Sequence, residues 1–259
     1  MPIDPTGTEY SSAISRRRDT TVPVTNVDDL PLPEDWRRPG RLGRAAMLDT
    51  PILVDIGWWN AQLVDLGLPG GPIIGIREGR KAADDRADIS RREMLALDPN
   101  LPDATLRRLW YALAWGTGTK PRLGRKRLEW VAARMPTVRE ALESAASEAH
   151  QLPKVAYATL FPHDRRTAVK YLGPAFFTKF LYFSPGATAS KQAPILDTRV
   201  ARRLQTHHGW NSLRTGGRWP AGTYDRYCRL LTRWAQEATT YQDREVWPDE
   251  LEQWLFAQR

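Results

Sequence analysis

The hydrophobic positions along the chain recur mainly with the spacing of amphipathic helices. In PDATLRRLWYALAW, four apolar side chains share one helical face: Leu106, Leu109, Trp110 and Leu113. Similar spacing predicts helices in TVREALESAASEAH, GTYDRYCRLLTRWAQEATTY and PDELEQWLFAQR. We find no internal repeat and no alternating strand pattern of any length. The sequence therefore predicts a mostly α fold.

Local signals suggest where several elements begin. Ser90 followed by Glu93, and Thr137 followed by Glu140, fit capping boxes that open helices. The first would open a short helix through Leu97. The glycine- and proline-rich stretch LPGGPIIGIREG predicts a loop with a short strand at 73–76.

The first 45 residues differ from the rest of the chain. They are rich in Pro, Thr, Asp and Arg and have no sustained apolar period, so we expect a mostly flexible segment over residues 1–45. Residues 46–259 are predicted to form the helical domain. No clean linker interrupts that domain.

Composition narrows the class of protein. The single cysteine, Cys228, excludes disulfides, zinc-cysteine sites and cysteine-ligated iron–sulfur clusters within one chain, and it favours a reducing, cytoplasmic location. No apolar run approaches the roughly 20 residues of a membrane span. The N-terminus lacks the apolar core of a secretory signal.

The charge distribution favours a polyanionic partner. The net charge is +8, and residues 1–45 contribute none of it because their seven Arg balance seven acids. Residues 116–134 carry six basic residues against Glu129, and residues 161–204 carry eight against Asp164 and Asp197. A solvated basic face would explain either cluster alone, whereas the two together favour nucleic acid.

The stretch KYLGPAFFTKFLYF predicts a helical hairpin. One helix would end near Leu172, Gly173 and Pro174 would turn the chain, and a second helix would follow. Backbone N–H groups at such a turn can hold a phosphate, which positions DNA without reading its sequence. An ordinary pair of packed helices remains the alternative for this stretch alone.

The later stretch APILDTRVARRL extends the pattern. Over residues 165–204, the predicted hairpin and the Pro-apolar-apolar-Asp stretch together resemble the signature of the helix-hairpin-helix DNA glycosylase superfamily. The stretch GPAFFTKFLYF is also similar to bacterial proteins with the 8-oxoguanine glycosylase fold. The resemblance implies a helical fold of two lobes with the active site in the cleft, duplex DNA as the partner, and no cofactor.

Three positions depart from that signature. Tyr171 replaces the first hairpin glycine, and SPGATASKQA lengthens the interval that leads to Asp197. Ala175 stands where bifunctional members have a Schiff-base lysine. Lys179 follows one helical turn later and is expected to contact a phosphate.

Asp197 is the candidate catalytic residue. Breaking an N-glycosidic bond builds positive charge at C1′ of the sugar, and a fixed carboxylate stabilises that charge and orients the attacking water. The simpler role, an N-cap of the helix that follows, is compatible with catalysis because a cap also fixes the carboxylate.

Other residues are candidates for binding. The expected phosphate ligands are Gly173, Lys170, Lys179, Arg199, Arg202 and Arg203. Aromatic side chains that could line a pocket for a flipped base are Trp58, Trp59, Trp115, Tyr224 and Tyr227, each of which could equally be plain core. His207 and His208 lack further ligands at a recognisable spacing, so we expect no metal site.

The leading hypothesis is therefore a monomeric, monofunctional DNA glycosylase that flips and removes a base and does not cleave the strand. The base could be oxidised or alkylated, as in repair. It could also be a hypermodified phage base such as glucosylated hydroxymethylcytosine, since bacterial proteins that resemble this branch include antiviral glycosylases. A non-catalytic duplex-binding protein on the same scaffold and a helical RNA-binding module are the alternatives.

Overall fold

The structure of the protein is a computed structural model that describes residues 26–79, 84–162, 166–184 and 193–258. After two short 3₁₀ helices, Val27–Asp29 and Glu34–Trp36, the elements are α1 (Arg44–Asp49), β1 (Pro51–Asp55), α2 (Ile56–Asp65), β2 (Arg86–Ser90), α3 (Arg91–Leu95), α4 (Ala104–Thr117), α5 (Gly124–Ala132), α6 (Met135–Glu148), α7 (Pro153–Leu160), α8 (Pro174–Phe183), α9 (Thr198–His207), α10 (Ala221–Gln242) and α11 (Pro248–Ala257). Within the described ranges, no helix has both the length and the apolarity to cross a membrane.

The core is built on α4 and α8, which pack directly against each other. The predicted apolar face of α4 is confirmed, since its four side chains from Leu106 to Leu113 are all buried. Helix α7 packs on α6, α8 and α10, while α11 packs on α1, α9 and α10. The prediction of a mostly helical fold is confirmed.

One small sheet was not predicted. β1 pairs antiparallel with β2, with Pro51 opposite Ser90 and Asp55 opposite Arg86. Of the strand predicted at 73–76, only an isolated bridge between Ile76 and Asp88 forms. The sheet fixes where α3 begins, and therefore where the side chain of Arg91 lies.

Helix boundaries test the capping predictions. Ser90 and Glu93 do form a capping box at the start of α3, although that helix ends at Leu95. The prediction of a capping box at Thr137 is wrong, because α6 begins two residues earlier, at Met135, with Pro136 in its first turn. Pro fits that turn because it has no N–H, and an N–H in the first turn would have no helical partner.

The turn before α8 also differs from the prediction. Residues 166–173 form turns rather than a helix that ends near Leu172. Val169 and Leu172 are buried on either side of the exposed Lys170 and Tyr171. Side-chain burial at these two points, not helical hydrogen bonding, therefore holds this part of the hairpin.

Part of the segment predicted to be flexible packs into the core. Leu30, Leu32 and Trp36 are each at most 2 % exposed, and both 3₁₀ helices contact α10. The backbone oxygen of Leu30 accepts a hydrogen bond from Trp234 Nε1 at 3.0 Å. Residues 1–25 lie outside the described residues, and the domain boundary near residue 45 stays a prediction.

Candidate active site

Asp197 borders a small cavity where several helices meet. The cavity volume is about 90 Å³, below the roughly 300 Å³ at which small-molecule sites begin, so a base could enter only if the walls move. It is lined by Met47, Thr50, Ile52, Arg91, Trp115, Gly116, Lys179, Ile195, Asp197, Glu252, Gln253 and Phe256.

The two oxygens of the Asp197 carboxylate have different surroundings. Oδ1 accepts hydrogen bonds from the backbone N–H groups of Arg199 at 2.9 Å and Val200 at 3.0 Å, so Asp197 is the N-cap of α9. Oδ2 lies 3.7 Å from Nζ of Lys179. The side chain is 13 % exposed. One oxygen therefore fixes the carboxylate, and the other is left to interact within the cavity.

The backbone before Asp197 is held by three hydroxyl groups. Tyr224 donates to the backbone oxygen of Pro194 at 3.0 Å, and Tyr227 donates to that of Ile195 at 2.7 Å. The Thr178 hydroxyl accepts from the N–H of Leu196 at 3.2 Å. Because all of these groups are buried, the position of the carboxylate is set by the core and not by a mobile loop.

Lys179 lies inside the protein beside Asp197 rather than on the surface as a phosphate ligand. Its side chain is 9 % exposed, and Nζ donates to the backbone oxygen of Ala175 at 2.7 Å. Burial lowers the pKa of Lys179 below its usual range, although Asp197 and Glu252 act in the opposite direction. Gly116 makes this placement possible, since a Cβ there would lie 3.0 Å from Cδ of Lys179.

A second pair of charged side chains borders the cavity, and it was not predicted from the sequence. Arg91 Nη2 lies 2.7 Å from Oε2 of Glu252, and both side chains are almost fully buried. The same Nη2 donates to Gln253 Oε1 at 2.9 Å. The available signal was helical spacing, because Glu252 lies three residues before the buried Leu255 and therefore shares the apolar side of α11.

The predicted DNA-contacting residues lie in different surroundings. Lys170, Arg199 and Arg202 are exposed, and the guanidinium of Arg199 stacks 4.8 Å from the ring of Phe256. Arg203 is engaged within the protein, donating to the backbone oxygen of Gln258 at 2.8 Å. The exposed cations are the ones that a DNA backbone could reach.

The hairpin turn keeps the shape of a glycine turn without the first glycine. Tyr171 has a φ of 66°, in the left-handed region that favours glycine. Arg127, which is buried, donates from Nε to the backbone oxygen of Tyr171 at 2.9 Å. Burial lowers the pKa of Arg127 to about 10. Gly173 is the N-cap of α8, with open space around its Cα.

Of the five aromatic residues predicted to line a base pocket, Trp115 borders the Asp197 cavity. Its indole Nε1 is buried and has no hydrogen-bond partner among the described residues. The other four lie elsewhere. Trp59 is fully buried and packs edge-on against the half-buried Trp58, and the two tyrosines Tyr224 and Tyr227 support the backbone described above.

Two other features do not belong to this site. A larger cavity of about 430 Å³ lies beside α10, with Cys228, Thr232 and Trp247 among its lining residues, and neither Asp197 nor Lys179 borders it. His207 and His208 are apart from any metal-binding arrangement, since no group of three His, Cys, Asp or Glu side chains converges within the ranges that the structure describes.

One protein-family model matches the chain. The family described as "Putative 8-oxoguanine DNA glycosylase OGG-like protein" matches residues 45–256, a range that contains every residue lining the Asp197 cavity. No curated protein and no solved structure matches the chain. The family match covers most of the sequence and supports a DNA glycosylase-like function. The chain belongs to the OGG-like family of DNA glycosylase-like proteins.

Proposed function

We propose that the protein is a DNA N-glycosylase that removes a damaged or modified base from duplex DNA and leaves an abasic site. The observation that carries this proposal is the difference between the two carboxylate oxygens of Asp197. Oδ1 is held by the α9 backbone, and Oδ2 lies beside the cavity. A carboxylate fixed in this way stabilises positive charge at C1′ without reorganising during the reaction. It is also placed to take a proton from the attacking water.

The exposed cations extend the proposal to DNA binding. Lys170, Arg199 and Arg202 would neutralise phosphates, and the N-terminus of α8 at Gly173 would hold one more. Trp115 and Phe256 would contact the flipped base, because both line the cavity. We propose that the protein acts as a monomer in the cytoplasm.

The enzyme is proposed to be monofunctional, because Ala175 stands at the position of the Schiff-base lysine. A second candidate, a glycosylase that also cleaves the strand, is favoured by one observation. Nζ of Lys179 lies 3.7 Å from Asp197, and burial lowers its pKa, which favours the neutral amine that a nucleophile requires. Against this, Nζ is held by the Ala175 carbonyl and the Asp197 carboxylate.

One assay separates these possibilities. Wild type and Asp197→Asn are incubated with duplexes that carry 8-oxoguanine, 7-methylguanine or glucosylated hydroxymethylcytosine, and alkali is added afterwards to break abasic sites. Asn is as good an N-cap as Asp, but it leaves the buried Lys179 without its anionic partner, so the melting temperature should fall. At a temperature where both proteins stay folded, the rate of the variant should be lower by about 10²–10⁴. Strand breaks that require alkali and the wild-type protein are the expected result.

Other outcomes would change the proposal. Breaks without alkali, together with a covalent adduct trapped by borohydride and lost in Lys179→Ala, would establish the strand-cleaving enzyme. Tight duplex binding by both proteins with no abasic site on any substrate would favour the non-catalytic binding protein. Duplex DNA should also be bound more tightly than hairpin RNA at one fixed salt concentration.

The same pair of proteins tests the biological role. We propose antiviral defence as the role that accompanies activity on glucosylated hydroxymethylcytosine. Cells that express wild type should then reduce plaque formation by a phage with such DNA, whereas cells that express Asp197→Asn should not. Equal plaque numbers would favour housekeeping repair.

A further inference from the structure

Helix α11 brings three buried carboxylates into the protein, and one of them differs from the others. Asp249 pairs with Arg44 at 2.9 Å, and Glu250 pairs with Arg244 at 2.8 Å. Both of these arginines are partly exposed, and neither acid borders the Asp197 cavity. Glu252 does border the cavity, and only 1 % of its side chain is exposed.

The charged groups that act on Glu252 come from three other elements. Arg91 pairs with it from α3, and Lys179 on α8 and Asp197 at the start of α9 act on it electrostatically. Tyr227 on α10 is a titratable neighbour that is neutral, because burial raises its pKa. Burial raises the pKa of Glu252 to about 7; Arg91 and Lys179 act to lower it, and Asp197 acts to raise it. Burial and Asp197 therefore favour the protonated form of this carboxyl, whereas the two cations favour its ionised form.

We propose that Glu252 is the catalytic acid that protonates the departing base; this proposal rests on the glycosylase function proposed above. As the bond between C1′ and the base nitrogen breaks, its electron pair goes to the base, which takes the proton of Glu252. The oxygen of water then bonds to C1′, and its proton passes to Asp197. Transfer of a proton from Asp197 to solvent and from solvent to Glu252 restores both groups.

Protonating the base and stabilising the sugar carbon require two carboxyl groups with different surroundings. Glycoside hydrolysis commonly uses one protonated acid for the leaving group and one carboxylate for the sugar carbon. Oδ1 of Asp197 is held by two backbone N–H groups at a helix N-terminus, a position that favours a carboxylate. Glu252 pairs instead with the guanidinium of Arg91 and lies in a far drier position.

This assignment narrows the substrate class. A base that already carries positive charge, such as 7-methylguanine, leaves without an added proton. A proton donor matters for a base that is uncharged until it departs, such as 8-oxoguanine or glucosylated hydroxymethylcytosine. We therefore infer that the cavity serves uncharged bases.

A purely structural role for the Arg91–Glu252 pair is the competing explanation, because removing one partner of a buried ion pair destabilises a protein. The chain offers a matched control. Glu250→Gln removes the charge of another buried carboxylate on the same helix, one that pairs with the partly exposed Arg244, without touching the cavity. A structural effect should appear in both variants, whereas loss of a proton donor should appear in one.

The experiment measures single-turnover base release by wild type, Glu252→Gln and Glu250→Gln. On the 8-oxoguanine and glucosylated hydroxymethylcytosine duplexes, Glu252→Gln should be slower by about 10²–10⁴, the usual contribution of a general acid. On the 7-methylguanine duplex it should retain whatever rate the wild type has. Glu250→Gln should follow the wild type on all duplexes, and all three proteins should bind an abasic-site duplex equally.

A pH profile supports the test without depending on the stability of any variant. Since the acid must be protonated, the wild-type rate on an uncharged base should fall as the pH rises through about 7. Glu252→Asp, which keeps a titratable group, should recover part of the rate lost in Glu252→Gln.

Several results would overturn the inference. Equal slowing of Glu252→Gln and Glu250→Gln, or an equal loss on charged and uncharged bases, would show a structural role. Wild-type activity on 7-methylguanine alone would refute the proposed substrate class and leave the glycosylase proposal intact. No base release by the wild type from any duplex would overturn both proposals.

Discussion

The two halves of the signature motif are held in place in opposite ways. The segment 193–196 before Asp197 is buried throughout, and side-chain hydroxyl groups bind its backbone. In the hairpin turn at 170–173, Lys170 and Tyr171 are exposed, Leu172 is buried, and Tyr171 has a strained backbone. We infer that the segment 193–196 fixes the carboxylate of Asp197, and that the hairpin turn presents backbone groups and charge to DNA. Substitutions at 193–196 should therefore change the rate of base release, and substitutions in the hairpin turn should change the affinity for DNA.

The largest effect is expected at Thr178, which joins the two halves. Its hydroxyl accepts from the Leu196 N–H and lies within donating distance of the backbone oxygens of Pro174 at 2.7 Å and Leu196 at 3.2 Å. Thr178→Val should lower the free energy of unfolding by about 2–3 kcal/mol, since a buried N–H loses its acceptor. Denaturant unfolding measures this change, and the rate of base release should fall as Asp197 shifts.

A control isolates the contribution of Leu196. Thr159 makes only the equivalent bond along its own helix, to Val155 at 3.1 Å, on an exposed face. Thr159→Val should therefore change stability by less than about 0.5 kcal/mol. Similar losses at both positions would contradict the view that the link to Leu196 is what positions Asp197.

A smaller effect is expected at the strained turn. Tyr171→Gly should be more stable than Tyr171→Ala by about 1 kcal/mol, because a left-handed conformation costs a residue with a Cβ about that much. At Ala133, where φ is −67°, the exchange of Ala for Gly should instead destabilise the protein. Thermal unfolding of Tyr171→Gly, Tyr171→Ala and Ala133→Gly measures whether Gly is more or less stable than Ala at each position. A less stable Gly at both positions would contradict the expectation of strain at Tyr171.

The smallest effect on the fold, but a measurable one on binding, is expected at Lys170. Lys170→Ala should leave the melting temperature unchanged and weaken duplex binding equally for all sequences. The slope of log K against log salt should decrease in magnitude by about 1, as expected for one phosphate contact. Lys154→Ala removes an exposed charge outside both basic clusters and should leave the slope unchanged. An unchanged slope in Lys170→Ala would show that the hairpin does not contact the DNA backbone.

The sequence predicted the long helices well because their periodic apolar faces are local signals. The N-cap role considered for Asp197 is confirmed, since an Asp at the start of a helical stretch is also a local signal. The β1–β2 pairing was not predicted, because its partners lie more than 30 residues apart and neither strand alternates cleanly.

Charged residues inside the core were the hardest to predict. The burial of Lys179 depends on the absence of a side chain at Gly116, on a different helix. In the sequence, Glu252 looks like one more acid on a polar helix, and its role as a cavity residue depends on Arg91 far along the chain. Helical spacing can place Glu252 on the apolar side of α11, but the partners of these charged groups follow from tertiary packing and cannot be read from a short stretch of sequence.

The four ionisable groups around the cavity, Arg91, Lys179, Asp197 and Glu252, also have a consequence for adaptation. Removing charges from water costs several kcal/mol per ion before pairing recovers it, so this arrangement works against thermal stability. Selection for heat resistance alone would be expected to replace these groups with a well-packed apolar core. A relative that melts at higher temperature and has hydrocarbon side chains at these four positions would therefore have given up the chemistry for stability.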